Sequence, residues 1–142
     1  MKYPIGIQSF AQIREDGYVY VDKTALIHKL VTEGKIYFLS RPRRFGKSLL
    51  VSTLKAYFEG RKELFAGLAM EQLEQQWAKY PVFHIDFNGC DFTSGNTLLN
   101  KIEAYVATWE AEFGKSPFAK NLGDRFIYIL KQAHAKYGKR AV

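Results

Sequence analysis

Cysteine is almost missing from this chain: Cys90 stands alone, so no disulfide can form within it and stability has to come from packing. No segment joins a charged start to the apolar middle of a secretory signal, and the expected location is the cytoplasm. Long apolar runs are missing as well. None approaches the roughly 18 residues that a membrane span requires, which excludes a membrane partner on this reading. Acid is the scarcer charge: 14 Asp and Glu face 21 Lys and Arg, a formal net charge of +7, so a polyanion such as a nucleotide or a nucleic acid is an expected partner. The excess at Lys29, Lys55, Lys79 and Lys131 reads equally well as solvated helix surface. Repeats, low-complexity segments and Ser/Gly/Pro-rich linkers are absent, so residues 1–142 read as one domain without an internal boundary.

What is present is a globular composition, 47% hydrophobic and 15% aromatic, which supplies a core without metal or disulfide staples. Tyr18-Val19-Tyr20-Val21 follows the turn signal Asp16-Gly17 and reads as a short strand. Asp22 then caps a helix in which Leu26, Ile27, Leu30 and Val31 recur at helical spacing, with Gly34 in the place of a C-terminal cap. Ile36-Tyr37-Phe38-Leu39 is a continuous apolar run of the kind buried on both faces in a parallel sheet. A second amphipathic helix from Lys47 to Glu59 carries Leu49, Leu50, Leu54, Tyr57 and Phe58. Short helical pieces broken at Gly67 fill residues 63–77, and Val82-Phe83-His84-Ile85 reads as a strand ending at Asp86. Leu98, Leu99, Ile102, Val106, Trp109 and Phe113 line a long helix, and Phe126, Ile127, Leu130 and Tyr137 line another that stops at Gly138. Ala141-Val142 reads as the onset of one more strand. The alternation predicts an α/β fold of P-loop NTPase type: a mainly parallel sheet flanked by helices, one incomplete domain over residues 1–142.

Between the apolar run and the second helix lies Arg41-Pro42-Arg43-Arg44-Phe45-Gly46-Lys47-Ser48. A phosphate-binding loop needs a turn whose N–H groups converge on phosphate, a Lys that reaches the β- and γ-oxygens, and a hydroxyl for Mg²⁺. Gly46, Lys47 and Ser48 supply these parts, and the helix opening at Lys47 adds its unpaired N–H groups and the positive end of its dipole. The expected nucleotide contacts are Arg43, Arg44, Phe45, Gly46, Lys47, Ser48 and Leu49, with Ser48 also the Mg²⁺ ligand and with ATP and Mg²⁺ as the cofactors. The pattern G-x-x-x-x-G-K-[ST] has glycine where this chain has Arg41. A side chain held at positive φ costs roughly 1 kcal/mol or more, so either the loop entrance takes another path or the strain is offset elsewhere. In exchange, Arg41, Arg43 and Arg44 place guanidinium groups beside the anion site.

The tripeptide occurs again at Gly114-Lys115-Ser116, where it follows a helix and meets Pro117, so context marks this copy as a decoy. Asp86 mimics an acidic residue at a strand end that could face Mg²⁺. The ordinary reading makes it a turn residue of Asn88-Gly89-Cys90-Asp91. His28, His84 and His134 show no ligand-like spacing to one another or to Cys90, and Trp77 and Trp109 read as packing residues.

Tyr20-Val21-Asp22-Lys23-Thr24, Phe38 to Leu50 including the Arg-rich loop, Tyr57-Phe58-Glu59-Gly60 and Leu64-Phe65-Ala66-Gly67-Leu68 together resemble the bacterial AAA-ATPase-like family, over essentially the whole chain. The resemblance implies that Arg41 is a trait of the family's own loop. It also implies a PD-(D/E)XK nuclease-like domain and an acidic Walker B strand farther along a longer chain, and a role for Asp22, Lys23 and Thr24 near the nucleotide. ATP binding is then expected here, with hydrolysis only in a full-length protein. The alternatives are a nucleic-acid-binding module that uses the Arg cluster and a regulatory domain that nucleotide orders without turnover. An oligomer is compatible with such ancestry, but no residue here argues for one.

Overall fold

Helices account for all the regular structure in the computed structural model, which describes residues 2–89 and 96–142. They are α1 (Phe10–Glu15), α2 (Thr24–Glu33), α3 (Lys47–Phe58), a 3₁₀ turn (Lys62–Phe65), α4 (Ala69–Leu73), α5 (Thr97–Phe113) and α6 (Leu122–Tyr137). Two compact units divide the chain, Met1–Lys79 and Tyr80–Val142.

The expected parallel sheet is not there: among the described residues no strand forms, and the architecture is helical rather than α/β. A helix closes its hydrogen bonds inside its own segment, whereas a strand exists only when a neighbour supplies the other half of the ladder. The run Ile36–Leu39 shows the difference, because Ile36 and Phe38 are each 94% exposed where the pattern calls for burial on both faces. Near Val82 the described residues form a single rung: Val142 N–H donates to Pro81 O at 2.9 Å and Phe83 N–H to Val142 O at 2.7 Å. Val19 N–H likewise meets only Lys2 O, at 2.8 Å.

In the first unit the core joins Phe10 of α1, Ile27 of α2, Ala56 of α3, Leu64 and Phe65 of the 3₁₀ turn, and Leu68 and Met70 at α4. Polar bonds fix the same contacts. Phe10 N–H donates to Ser52 Oγ of α3 at 2.9 Å, and that hydroxyl in turn donates to Gln8 O at 3.0 Å. Arg14 Nε donates to Leu64 O at 2.8 Å, tying α1 to the 3₁₀ turn. Trp77 packs on Phe65, ring centroids 5.1 Å apart, as a packing residue should. It is held at φ 41° with its buried Nε1 unpartnered among the described residues, a local penalty that the aromatic contacts have to offset.

Gly34 is not the left-handed cap its position advertised, since its φ is −151°. The ring of Tyr37 lies where a Cβ of residue 34 would stand, and Tyr37 Oη donates to Leu30 O at 2.7 Å. Glycine is needed for space rather than for handedness, and a tyrosine from the presumed strand satisfies an orphan carbonyl at the end of α2.

The second unit is built on α5 and α6. Phe83 lies 4.9 Å from Trp109 and 5.8 Å from Phe126 between ring centroids, so the residues expected to line both helices do meet. Glu110 of α5 is buried, and its two carboxylate oxygens accept from Arg125 Nε and Nη2 of α6, both at 2.8 Å. The guanidinium holds the Glu110 carboxyl below its usual range. Gly138 ends α6 at φ 63°, the left-handed cap expected from the sequence.

Candidate functional site

α3 opens at Lys47 after a left-handed turn at Gly46, φ 75° and ψ 18°. A Cβ there would meet nothing within 4 Å, so the space over the turn is open and the glycine is required by conformation alone. No side chain caps α3, and its first internal bond runs from Leu50 N–H to Gly46 O at 2.9 Å. The N–H groups of Lys47, Ser48 and Leu49 therefore precede the ladder of the helix and point along its axis at the positive end of the dipole.

Residues Arg41–Gly46 and Ser48 are exposed, and Lys47 is half-buried. Its ammonium does not extend into solvent. Nζ donates to Arg41 O at 2.5 Å and to Pro42 O at 2.8 Å, so the lysine bridges the loop from end to start. Positive φ falls on Arg44, at 67°, and not on Arg41, which resolves the missing glycine: the entrance takes another path and the strained residue is three positions on. That strain costs roughly 1 kcal/mol in a non-glycine residue.

Phe45, Gly46 and Leu49 line a cavity of about 540 Å³ together with Arg41 and Lys23. Arg43, Arg44, Lys47 and Ser48 belong to the loop outside that lining. The lining also includes Tyr3, Pro4 and Val19–Val21, which sequence reasoning did not assign to a site. The only available signal was their aromatic and β-branched character just ahead of Asp22.

Asp22 is used as structure. Oδ1 accepts from Thr24 N–H at 2.8 Å and from Thr24 Oγ1 at 2.7 Å, while Oδ2 accepts from Ala69 N–H at 2.7 Å and so ties the start of α2 to α4. Partial burial pushes its carboxyl up, but the Ala69 N–H and the Thr24 donors prevail and hold it below the ordinary carboxylate range. A lowered folded-state value means that its contribution is full above the unfolded carboxylate pKa and is lost as pH falls through the folded one. The Asp22→Asn variant is therefore expected to be less stable at neutral pH by about 1 kcal/mol. It should also melt with a shallower acid dependence than the native chain below about pH 4. Thermal midpoints measured from pH 7 downward check both, and parallel curves for the two proteins would refute the role.

Asp86 sits in the second unit, where Oδ1 accepts from Asn88 N–H at 2.8 Å, the turn use of aspartate. Cys90 and Asp91 of that loop lie outside the described residues. Gly114 terminates α5 and Ser116 Oγ accepts from Phe118 N–H at 3.3 Å, so the second Gly-Lys-Ser opens no helix. Among the described residues no group of three or more His, Cys, Asp or Glu is placed to hold a metal ion, and no helix is long and apolar enough to cross a membrane.

A glycine turn delivering a lysine and a hydroxyl to an uncapped helix start is the local chemistry of proteins that handle phosphate. By family comparison, the chain belongs to the AAA-ATPase-like family, described as "Predicted AAA-ATPase", whose model matches residues 4–142. It is 43% identical over 145 residues to a protein of Azotobacter chroococcum mcd 1 described as "Uncharacterized protein in vnfD 5'region". That alignment covers 99% of this chain and 28% of the relative, so the chain spans little more than a quarter of the relative's length. No solved structure matches the chain.

Proposed function

We propose that the loop from Arg41 to Ser48 binds the phosphates of ATP. The observation that carries this reading is the uncapped start of α3, where Gly46 turns the chain with nothing within 4 Å of where its Cβ would stand and the N–H groups of Lys47, Ser48 and Leu49 precede the hydrogen-bond ladder of the helix. A phosphate oxygen is a charged acceptor and outcompetes the neutral carbonyls of Arg41 and Pro42 for the Lys47 ammonium. Lys47 is thus held across the loop until phosphate displaces the carbonyls, and it then contacts the β- and γ-groups. Arg43 and Arg44, both exposed, add charge neutralisation from the rim.

Mg²⁺ binds by preference through one or two protein oxygens together with phosphate oxygens and water. The Ser48 hydroxyl, at the second position of α3, fits as the one protein ligand, and the charge the ion supplies would offset that of the β- and γ-phosphates. The Ser48→Ala variant is expected to bind ATP in the absence of Mg²⁺ as tightly as the native chain. It should lose most of the tightening that Mg²⁺ gives the native protein, about threefold to tenfold on the scale of one hydrogen bond. Calorimetric titration with and without the metal reads this directly, and an unchanged Mg²⁺ effect would remove Ser48 from the role.

A further inference from the structure

No Asp or Glu stands between Glu33 and Glu59, while Lys35, Arg41, Arg43, Arg44, Lys47 and Lys55 all fall in that interval. The acids at its two ends are taken up locally, Glu33 facing Lys29 at 4.0 Å and Glu59 facing Lys55 at 3.8 Å. Lys47 is held across the loop by the carbonyls of Arg41 and Pro42. Four cations remain, Lys35, Arg41, Arg43 and Arg44, each exposed and none in an ion pair among the described residues. Uncompensated charge of one sign along a short segment attracts a polyanion. Aromatic rings are interleaved with it: Phe38 is 94% and Phe45 63% exposed, in a stretch, residues 34–46, that lies at the surface and forms no helix. Charge alone gives no reason for rings in water, so the ligand has to offer flat apolar faces as well as negative groups.

We infer that residues 35–45 form a binding strip for single-stranded nucleic acid, in which the four cations contact successive phosphates and Phe38 and Phe45 stack on bases. A single strand repeats a phosphate and a free base face in every unit, which matches both features of the strip. A duplex offers the phosphates but keeps its base faces stacked on one another, so it meets the charge and leaves the rings unused. The inference does not rest on the ATP reading. Lys35 and Phe38 belong neither to the cavity lining nor to the turn at Gly46, and the strip needs no helix start.

The test titrates the intact chain into labelled oligothymidylate and oligouridylate of about twelve nucleotides, the tighter-bound of which identifies the strand, and into a duplex of the same length. Single strands are expected to bind at low salt with a log–log salt slope of about −3, the value for four phosphates neutralised at about −0.7 each. The duplex should bind about tenfold more weakly. Ile36 and Phe38 are equally exposed, at 94%, so either can be changed without touching the core, and together they separate stacking from general apolar contact. Phe38→Ala should weaken the single strand about tenfold and leave ATP within about twofold of native, whereas Ile36→Ala should leave both within about twofold. Absence of single-strand binding at low salt, or a duplex bound as tightly as the strand with Phe38→Ala unaffected, overturns the inference. Equal losses from Ile36→Ala and Phe38→Ala also overturn it and hand the strip to an apolar protein segment. Oligonucleotide binding without ATP binding leaves the strip standing and removes the phosphate-loop reading instead.

Discussion

Replacing Lys47 with alanine is expected to weaken ATP binding by about tenfold to a hundredfold, the equivalent of losing one or two hydrogen bonds to a charged partner. Lys47 carries the one ammonium that the loop itself organises, through Arg41 O and Pro42 O. Because those acceptors are neutral and the side chain is half-exposed, its removal should change the thermal midpoint of the free protein little. A large loss of affinity with a small loss of stability separates a ligand contact from a structural prop. Lys47→Arg keeps the charge but replaces a compact ammonium with a planar fork, and should recover only part of the affinity. Titration of the three proteins at low and moderate salt measures the effect, with the native affinity itself falling as salt rises. Equal affinities for native and Lys47→Ala would leave the loop without a phosphate role.

The helices were legible because their evidence is local. Leu26, Ile27, Leu30 and Val31 need only a spacing of three and four to announce one apolar face, and Gly138 needs only its own conformation to end α6. The apolar runs at residues 36–39 and 82–85 were legible as sequences that ask for cover, and that is all a run can state. Which partner supplies the ladder is a non-local question: among the described residues Val142 gives the second run one rung, and the first run forms no strand, with Ile36 and Phe38 facing solvent. Gly34 illustrates a subtler loss. Its glycine was visible and its position at the end of α2 was right, yet the cause was Tyr37 folding back over it, a contact no periodicity encodes.

At the candidate site the same division holds. Gly46, Lys47 and Ser48 are consecutive, so strand-independent geometry at one helix start brings them together, and the sequence could place them. Counting from the usual glycine position leaves two possibilities at Arg41, strain or another path, and the second holds: φ turns positive at Arg44, because torsions distribute along a loop according to its path rather than its letters. Tyr3, Pro4 and Val19–Val21 share the cavity lining with loop residues twenty or more positions away in sequence, and no motif spans that distance. Asp22, read from the sequence as a helix cap, accepts from Thr24 N–H at the start of α2 and from Ala69 N–H, and its neighbour Lys23 lines the cavity.

Phe65→Ala is expected to destabilise the first unit by about 3–5 kcal/mol, the largest stability effect in this set. Phe65 is fully buried, with ring centroids 4.9 Å from Phe10 and 5.1 Å from Trp77, so its removal opens a void between α1, the 3₁₀ turn and the Trp77 ring. A domain of ordinary stability has about 5–15 kcal/mol in hand, and the variant should unfold at a much lower urea concentration with a similar slope. Phe65→Leu, which keeps most of the volume, should lose about 1–2 kcal/mol. The ring is also upstream of function, since Phe10 is anchored to Ser52 of α3 and α3 carries Lys47 at its start. Even so, the folded fraction of Phe65→Ala should bind ATP as the native chain does, and saturating ATP should raise both midpoints by the same free energy. A loss below about 1 kcal/mol would place the ring outside the core. A full loss accompanied by a weakened intrinsic affinity would show instead that the packing of Phe65 shapes the loop as well as supporting it.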